Sequence, residues 1–285
     1  MIRTVRNIAE LRAHLAAWRD QGQRIALVPT MGNLHAGHVA LIALARQNAD
    51  RVVASIFVNP TQFGPNEDFD RYPRTPEADA DALAKAGADL LFLPDVETLY
   101  PLGAEAAVRI RVPGVADMLE GAVRPGHFDG VATVVARLFN LVRPEVAVFG
   151  RKDYQQLQVI RHMARDLAFA IDIVPAPTVR EADGLAMSSR NQYLSAEERA
   201  TAVEIIRNLH TMREQAGQGL PLRGIEQEAR ERLEAAGFVV DYAVVRRSDL
   251  SPAEAGNESG LLGLIAARLG RTRLIDNLEF ELPAG

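Results

Sequence analysis

Short apolar runs alternate with longer helical stretches over the first two-thirds of this 285-residue chain, and this alternation is the feature that most constrains its fold. The predicted strands are 24–28, 51–58, 90–93, 146–149 and 169–174, and the predicted helices are 34–50, 75–86, 131–141 and 154–167. Strands that alternate with helices form βαβ units, which build a parallel sheet with helices on both faces. We therefore predict an α/β fold, in which ligands bind beyond the carboxyl ends of the strands.

The last third of the chain has a different pattern. Its predicted helices are 196–215, with Ser195 as N-cap, and 222–236, and its predicted strands are 239–245, 261–267 and 272–277. The boundary between the two patterns lies near residues 176–190, where Pro175 and Pro177 interrupt the βαβ pattern. We therefore predict two domains, an α/β domain at 1–180 and a smaller α+β domain at 181–285.

Composition excludes several classes of site and partner. The chain contains no cysteine, so disulfides, thiolate metal sites and cysteine nucleophiles are ruled out. Its net charge of −5 argues against a nucleic-acid partner, because proteins that bind duplexes usually carry a basic face. The segment Met1–Arg12 lacks the apolar run of a signal peptide, and no stretch approaches the length of a membrane span. We expect a cytoplasmic protein with no membrane partner.

The segment Met31–His38 follows the first predicted strand and opens a predicted helix. Free backbone N–H groups and the helix dipole favour an anion at such a position. Gly32 permits a tight turn, His35 and His38 share one helical face, and Gly37 leaves room for a nucleotide. Two surface histidines and a zinc pair are the alternatives, but zinc requires more ligands than this segment offers. We predict a phosphate site here.

Polar side chains also follow the later predicted strands. The amides of Asn59 and Gln62 can donate to a carboxylate and accept from a hydroxyl or ammonium group. Lys152 suits a phosphate, Asp153 suits a ribose hydroxyl, and Gln156 lies one turn into the next helix. Turn formation, helix capping and solvation explain these residue types as well, so the sequence alone leaves both interpretations open.

Two glycine-containing loops complete the set of candidates. The loop 124–131 leads into a helix whose first turns carry Val131 and Val134, a face that is more typical of a core than of a pocket. The loop 179–191 carries Ser188, Ser189 and Arg190, whose hydroxyl and guanidinium groups can clamp a phosphate.

Together these motifs resemble those of the pantoate–β-alanine ligase family, in the family's own order. The matching runs are PTMGNLHAGH, FVNPTQF, RPGHFDGV, KDYQQL and DGLAMSSRN, between residues 29 and 191. The resemblance implies a Rossmann-like domain of the class I nucleotidylyltransferase type, a small C-terminal lid domain, a homodimer, ATP and Mg²⁺. It also implies two steps: pantoate and ATP form pantoyl adenylate and pyrophosphate, and β-alanine then displaces AMP to give pantothenate.

The resemblance further implies a role for individual residues. His38 matches the family's proton donor, and His35, Lys152 and Arg190 are grouped with it as catalytic. The implied ATP contacts are Met31, Gly32, Asn33, Leu34, His35, Ala36, Gly37, His38, Gly150, Arg151, Lys152, Asp153, Val179, Met187, Ser188, Ser189 and Arg190. The implied contacts with pantoate and β-alanine are Gln62, Gln156, Asn59, Arg124, Val131 and Val134. Asp79 is a possible Mg²⁺ ligand, and Arg151 departs from the family, in which glutamate is common.

Two other functions compete with the ligase. A nucleotidylyltransferase of the same superfamily would stop at an adenylated product and would show no amine-dependent step. A nucleotide-binding regulator would do no chemistry, and it would leave Lys152, Gln156 and the segment Ser188–Arg190 without a function.

Overall fold

The computed structural model describes residues 2–65, 67–253 and 260–281, which form two compact units. The first unit contains the chain up to Arg151 and the segment Gln155–Pro177. The second contains Lys152–Tyr154 and the residues from Thr178 onward. The chain therefore passes into the second unit after Pro177, close to the predicted boundary at residue 180.

The first unit is built on a parallel sheet of six strands. The strands are β1 (Arg3–Val5), β2 (Ile25–Thr30), β3 (Arg51–Ile56), β4 (Leu90–Phe92), β5 (Val146–Gly150) and β6 (Asp172–Ala176), in the order β1-β4-β3-β2-β5-β6. Every neighbouring pair is parallel, which confirms the predicted α/β class. Successive strands are added on one side of β2 and then, from β5, on the other. The topological switch point, where such sheets bind ligands, therefore lies between β2 and β5.

Helices flank this sheet. They are α1 (Ile8–Arg19), α2 (Ala36–Asn48), α3 (Pro76–Ala86), α4 (Val96–Leu99), α5 (Glu120–Val123), α6 (His127–Val142) and α7 (Tyr154–Asp166). The central strand β2 begins with four fully buried residues, as its continuous apolar run requires in a sheet covered on both faces. Helix α6 begins at His127, four residues before the predicted start, because the left-handed Gly126 forms its N-cap.

The second unit is a three-stranded antiparallel sheet covered by helices. Its elements are α8 (Ala196–Thr201), α9 (Glu204–Gly217), α10 (Leu222–Ala235), β7 (Phe238–Arg247), β8 (Leu261–Leu269) and β9 (Thr272–Phe280), and the strand order is β7-β8-β9. Helix α9 packs on β8 and β9, and α10 packs on β7. The predicted helix 196–215 is divided at Ala202 and Val203, both buried in this core. Among the residues that the structure describes, no helix combines the length and hydropathy of a membrane span.

Candidate active site

Strand β2 ends in a tight turn that leads into α2. Gly32 and Asn33 both have left-handed backbones, with φ of +85° and +50°. The Gly32 N–H donates to the Thr30 hydroxyl at 3.3 Å, and that hydroxyl donates to the Ser55 carbonyl at 2.9 Å. A Cβ on Gly32 would lie 3.0 Å from an oxygen of Asp79. Glycine is therefore required here both for its positive φ and for the close approach.

The carboxylate of Asp79 lies against this turn. Its Oδ2 accepts the Asn33 N–H at 3.0 Å and its Oδ1 accepts the Leu34 N–H at 2.8 Å. Asp79 belongs to the first turn of α3, and its side chain is buried. Two of the backbone N–H groups that the sequence predicts to be free for a phosphate are thus bound to a carboxylate of the protein itself.

The role of Asp79 as a Mg²⁺ ligand stays a prediction, and the structure shows another use for its carboxylate. Both of its oxygens already accept backbone N–H groups. Within residues 2–65, 67–253 and 260–281, no three acidic or histidine side chains form a group that could hold a metal ion. A cation held by protein side chains alone needs several oxygen ligands, and the described residues do not group enough of them.

His35 and His38 form a reciprocal capping box at the start of α2. The Nδ1 of His35 accepts the Gly37 N–H at 3.1 Å, and the Nδ1 of His38 accepts the His35 N–H at 3.2 Å. The ring centroids are 4.2 Å apart. A neutral imidazole has one N–H, so a ring whose Nδ1 accepts carries its proton on Nε2. The network therefore assigns the Nε2–H tautomer to both rings.

A polar cluster after β3 orients the side chain of Gln62. Asn59 donates from Nδ2 to the Gln62 Oε1 at 3.1 Å and to the Gly130 carbonyl at 3.1 Å, and its own oxygen accepts the Tyr100 hydroxyl at 2.8 Å. With Oε1 occupied, Gln62 presents its Nε2 group, which lies 3.2 Å from the Met31 sulfur. Asn59 is buried and its amide is fully engaged, so it orients Gln62 instead of meeting a substrate directly.

Helix α6 approaches this cluster unusually closely. A Cβ on Gly130 would lie 2.4 Å from the Thr61 carbonyl oxygen, so only glycine permits the contact. Gly130 and Tyr100 were not predicted as site residues. The one signal for Gly130 was its place as the second glycine of the run RPGHFDGV. Val131 and Val134 on α6 are both buried, and their predicted contact with pantoate stays a prediction.

Arg124 and His127 hold the backbone of Gln62. Arg124 forms a bidentate pair with Glu67 at 2.7 and 2.6 Å, and its Nη1 lies 3.1 Å from the His127 Nε2. Because a guanidinium only donates, the His127 Nε2 accepts, and its Nδ1–H donates to the Gln62 carbonyl at 2.8 Å. The fork of Arg124, predicted to meet a substrate, is thus engaged by Glu67. His127 and Glu67 were not among the predicted site residues.

The imidazole of His127 makes stability depend on pH. Burial, and next the Arg124 charge, lower the pKa of His127 to about 4. Between pH 6.5 and 4 the unfolded chain binds a proton that the folded chain excludes. We therefore expect the free energy of unfolding to fall by about 3 kcal/mol as pH drops through this window.

Urea unfolding at several pH values checks this expectation. His127→Gln should flatten the dependence, whereas His162→Gln, at an exposed position on α7, serves as the matched control. If His127→Gln kept the wild-type dependence, His127 would not be its source.

The two adjacent glutamines of α7 have different surroundings. Gln155 is buried, donates to the Val115 and Met118 carbonyls at 2.8 and 2.7 Å, and accepts the Glu120 N–H at 3.0 Å. Gln155 therefore fixes the segment before α5. Gln156 is half-buried beside it and stays a predicted pantoate contact.

In the second unit, strand β9 holds the backbone of Lys152. The Asn277 Nδ2 donates to the Lys152 carbonyl at 2.8 Å. Arg180 forms a bidentate pair with the buried Asp276 at 2.6 and 3.1 Å and donates to the Asn277 carbonyl at 3.2 Å. The ammonium of Lys152 lies 4.0 Å from the Asp153 carboxylate. Arg180, Asp276 and Asn277 were not among the predicted site residues, because they lie far from Lys152 along the chain.

The predicted phosphate clamp of the same unit lies at the end of a short hairpin. Met187 donates its N–H to the Val179 carbonyl at 3.0 Å. Ser188 then caps the 3₁₀ helix Ser189–Tyr193, with its hydroxyl accepting the Arg190 N–H at 3.3 Å. The structure therefore brings together the predicted contacts of this loop.

This chain is similar to known proteins over nearly its whole length. Residues 3–279 match the family model described as pantoate-beta-alanine ligase. The chain is 63% identical over 280 residues to pantothenate synthetase of Xanthomonas oryzae pv. oryzae and 64% identical over 281 residues to that of Xylella fastidiosa, covering 98% of this chain and 100% of each relative.

Solved structures give the same result. Pantothenate synthetase from Thermus thermophilus superposes with a TM-score of 0.90 at 51% identity, covering 97% of this chain and 99% of that one. Pantoate-beta-alanine ligase from Francisella tularensis, complexed with beta-gamma ATP and beta-alanine, gives a TM-score of 0.83 at 33% identity, covering 100% of this chain and 99% of that one.

Proposed function

This chain belongs to the pantoate–β-alanine ligase family, and we propose that it works through a pantoyl adenylate formed at the segment His35–His38. Its reaction is the ATP-dependent ligation of pantoate to β-alanine. The observation that carries the proposal is the pair of imidazoles at the start of α2, each oriented by its own Nδ1 hydrogen bond.

The adenylate answers a chemical requirement. A carboxylate is a poor electrophile for an amine, so it must first acquire a leaving group. A pantoate carboxylate oxygen attacks the α-phosphorus of ATP, and the bond to the bridging oxygen breaks and releases pyrophosphate. The β-alanine amine then attacks the acyl carbon, the bond to AMP breaks, and the nitrogen loses a proton to give pantothenate.

We assign to His35 and His38 the stabilisation of charge on the departing pyrophosphate. Each neutral ring has its N–H on Nε2, where it can donate to a phosphate oxygen. Protonating Nδ1 of His38 would set two donors, Nδ1–H and the His35 N–H, against each other. His38 therefore acts as an oriented hydrogen-bond donor, which is a narrower role than the proton donor implied by the resemblance.

Gln62 is proposed to orient the carboxylic substrates. Its Oε1 is occupied by Asn59, which leaves Nε2 to donate to a carboxylate. Nε2 lies near the Met31 sulfur, so the amide group is next to the turn that leads into α2. Gln156 and the apolar surface of Val131 and Val134 remain our candidates for pantoate.

The remaining ATP contacts are proposals from the family match. In the first unit they are Met31–Leu34, Ala36, Gly37, Gly150 and Arg151, and in the second they are Lys152, Asp153, Val179 and Met187–Arg190. Lys152 and Arg190 would supply positive charge for the phosphates. The homodimer and the cytoplasmic location also stay predictions.

Mg²⁺ is proposed to enter as the complex of ATP. Magnesium commonly keeps several waters and binds through substrate phosphates. This fits a chain whose described residues offer no cluster of metal-binding side chains. When bound, the ion would neutralise phosphate charge, and no residue of this chain is assigned to it.

One assay separates the ligase from its competitors. We expect pantoate-dependent ATP–pyrophosphate exchange without β-alanine, and stoichiometric release of AMP and pantothenate once β-alanine is added. A nucleotidylyltransferase that stops at the adenylate would give the first signal alone, and a nucleotide-binding regulator would give neither. Either of these results would overturn the proposal.

A further inference from the structure

We infer that Asp79 is a positioning residue, which holds the turn Met31–Leu34 and, through it, the two imidazoles that follow. The inference rests on the proposed function of that segment. Asp79 is 3% exposed, and its two oxygens accept the N–H groups of two consecutive residues at 3.0 and 2.8 Å. These are charge-assisted hydrogen bonds between a helix and a turn that lies 45 residues earlier in the chain.

The turn has the shape of an anion site that the protein fills itself. Successive N–H groups in left-handed or turn conformations form a concave nest that favours a negative group. Gly32 and Asn33 both have positive φ, which for Asn33 costs about 1 kcal/mol. The Asp79 carboxylate offsets this cost because it binds the N–H groups that the conformation exposes.

The position of the imidazoles depends on the end of this turn. His35 follows Leu34 directly, and its backbone N–H is the donor that orients the His38 ring. A turn released from Asp79 could rotate the Leu34–His35 peptide, and the Nδ1 acceptor of His38 would lose its partner. Asp79 thus acts on the phosphates through the histidines and not by binding a metal.

The substitution Asp79→Asn tests this role. The amide keeps the size of the side chain, but its NH₂ group would face one of the two backbone N–H groups. We expect the KM for ATP to rise about tenfold, since the backbone N–H that faces the new NH₂ group is left buried and unpaired. We expect the exchange rate to fall about a hundredfold, since the Nε2–H donor of His38 loses its orientation. Asp81→Asn, at an exposed position on the same helix, should leave both values at the wild-type level.

Two readouts separate positioning from metal binding and from general destabilisation. At saturating ATP, the exchange rate of Asp79→Asn should depend on the Mg²⁺ concentration in the same way as that of the wild type. If Asp79 were a metal ligand, the substitution would shift this dependence, and added Mg²⁺ would restore the rate. Imidazole ¹⁵N shifts of His35 and His38 should report Nε2–H tautomers in the wild type and averaged tautomers in Asp79→Asn. A variant with wild-type kinetics, or one restored by Mg²⁺, would refute the inference.

A measurement on the wild-type protein keeps the inference testable if the variant does not fold. The N–H groups of Asn33 and Leu34 should be protected from hydrogen exchange without ATP, because Asp79 binds them. Fast exchange at both positions would contradict the inference. Absence of pantoate-dependent exchange in the wild type would refute the proposed function instead, so the two failures are distinguishable.

Discussion

His38→Asn is expected to lose pantoate-dependent ATP–pyrophosphate exchange by about a thousandfold, whereas His38→Gln should keep about a tenth of the wild-type rate. The asparagine oxygen can replace Nδ1 and accept the His35 N–H, but the side chain ends there. The glutamine amide reaches the position of Nε2 and can donate to a phosphate oxygen. The difference between the two variants therefore isolates the Nε2–H donor from the capping hydrogen bond.

General acid catalysis predicts another pattern. Neither amide can release a proton at neutral pH, so both variants would be equally inactive if His38 transferred one. His162→Asn, at an exposed position on α7, is the matched control and should exchange at the wild-type rate. Unfolding curves of both His38 variants would show whether a lost rate reflects lost structure.

We expect Gln62→Glu to raise the KM for pantoate and for β-alanine by about a hundredfold each, because a buried carboxylate would then face the carboxylate of either substrate. The change keeps the shape of the side chain, and Asn59 can still donate to the oxygen that it now binds. The substituted group is 8% exposed, so solvent screens the repulsion little. Steady-state kinetics with each substrate varied in turn measure the effect.

Two further variants complete the test of Gln62. Gln62→Met removes the amide without adding charge, and we expect it to raise both KM values about tenfold through the lost hydrogen bond. Gln21→Glu adds the same charge at an exposed position after α1 and should change neither value. If Gln62→Glu and Gln62→Met behaved alike, the amide would not face a substrate carboxylate.

Much of the fold was predictable because buried parallel strands have a simple pattern. The runs Ile25–Val28 in β2 and Val146–Phe149 in β5 are apolar and buried throughout, since both faces of the sheet are covered. Strand β1 and helix α1 were not predicted. Strand β1 has three residues, and its place depends on pairing with β4, with Arg3 opposite Leu90. A strand that short carries no periodic signal of its own.

Part of the candidate site was also predictable from local sequence, and part was not. Residue types and spacing along one segment were sufficient to predict that His35 and His38 lie side by side after a buried strand. Residues three apart in a helical turn share a face, and this does not depend on the rest of the fold. They also predicted Gln62, whose amide the structure presents beside Met31.

The sequence by itself therefore determined the α/β class and, through the family motifs, the reaction, whereas the phosphate segment Met31–His38 stays a prediction. Only the tertiary structure decided what orients those groups. Asp79 binds the turn Met31–Leu34, and Asn59 and His127 hold Gln62. These partners come from separate helices and loops, so no local pattern marks them. They become visible only when the packed sheet brings distant donors and acceptors within hydrogen-bonding distance.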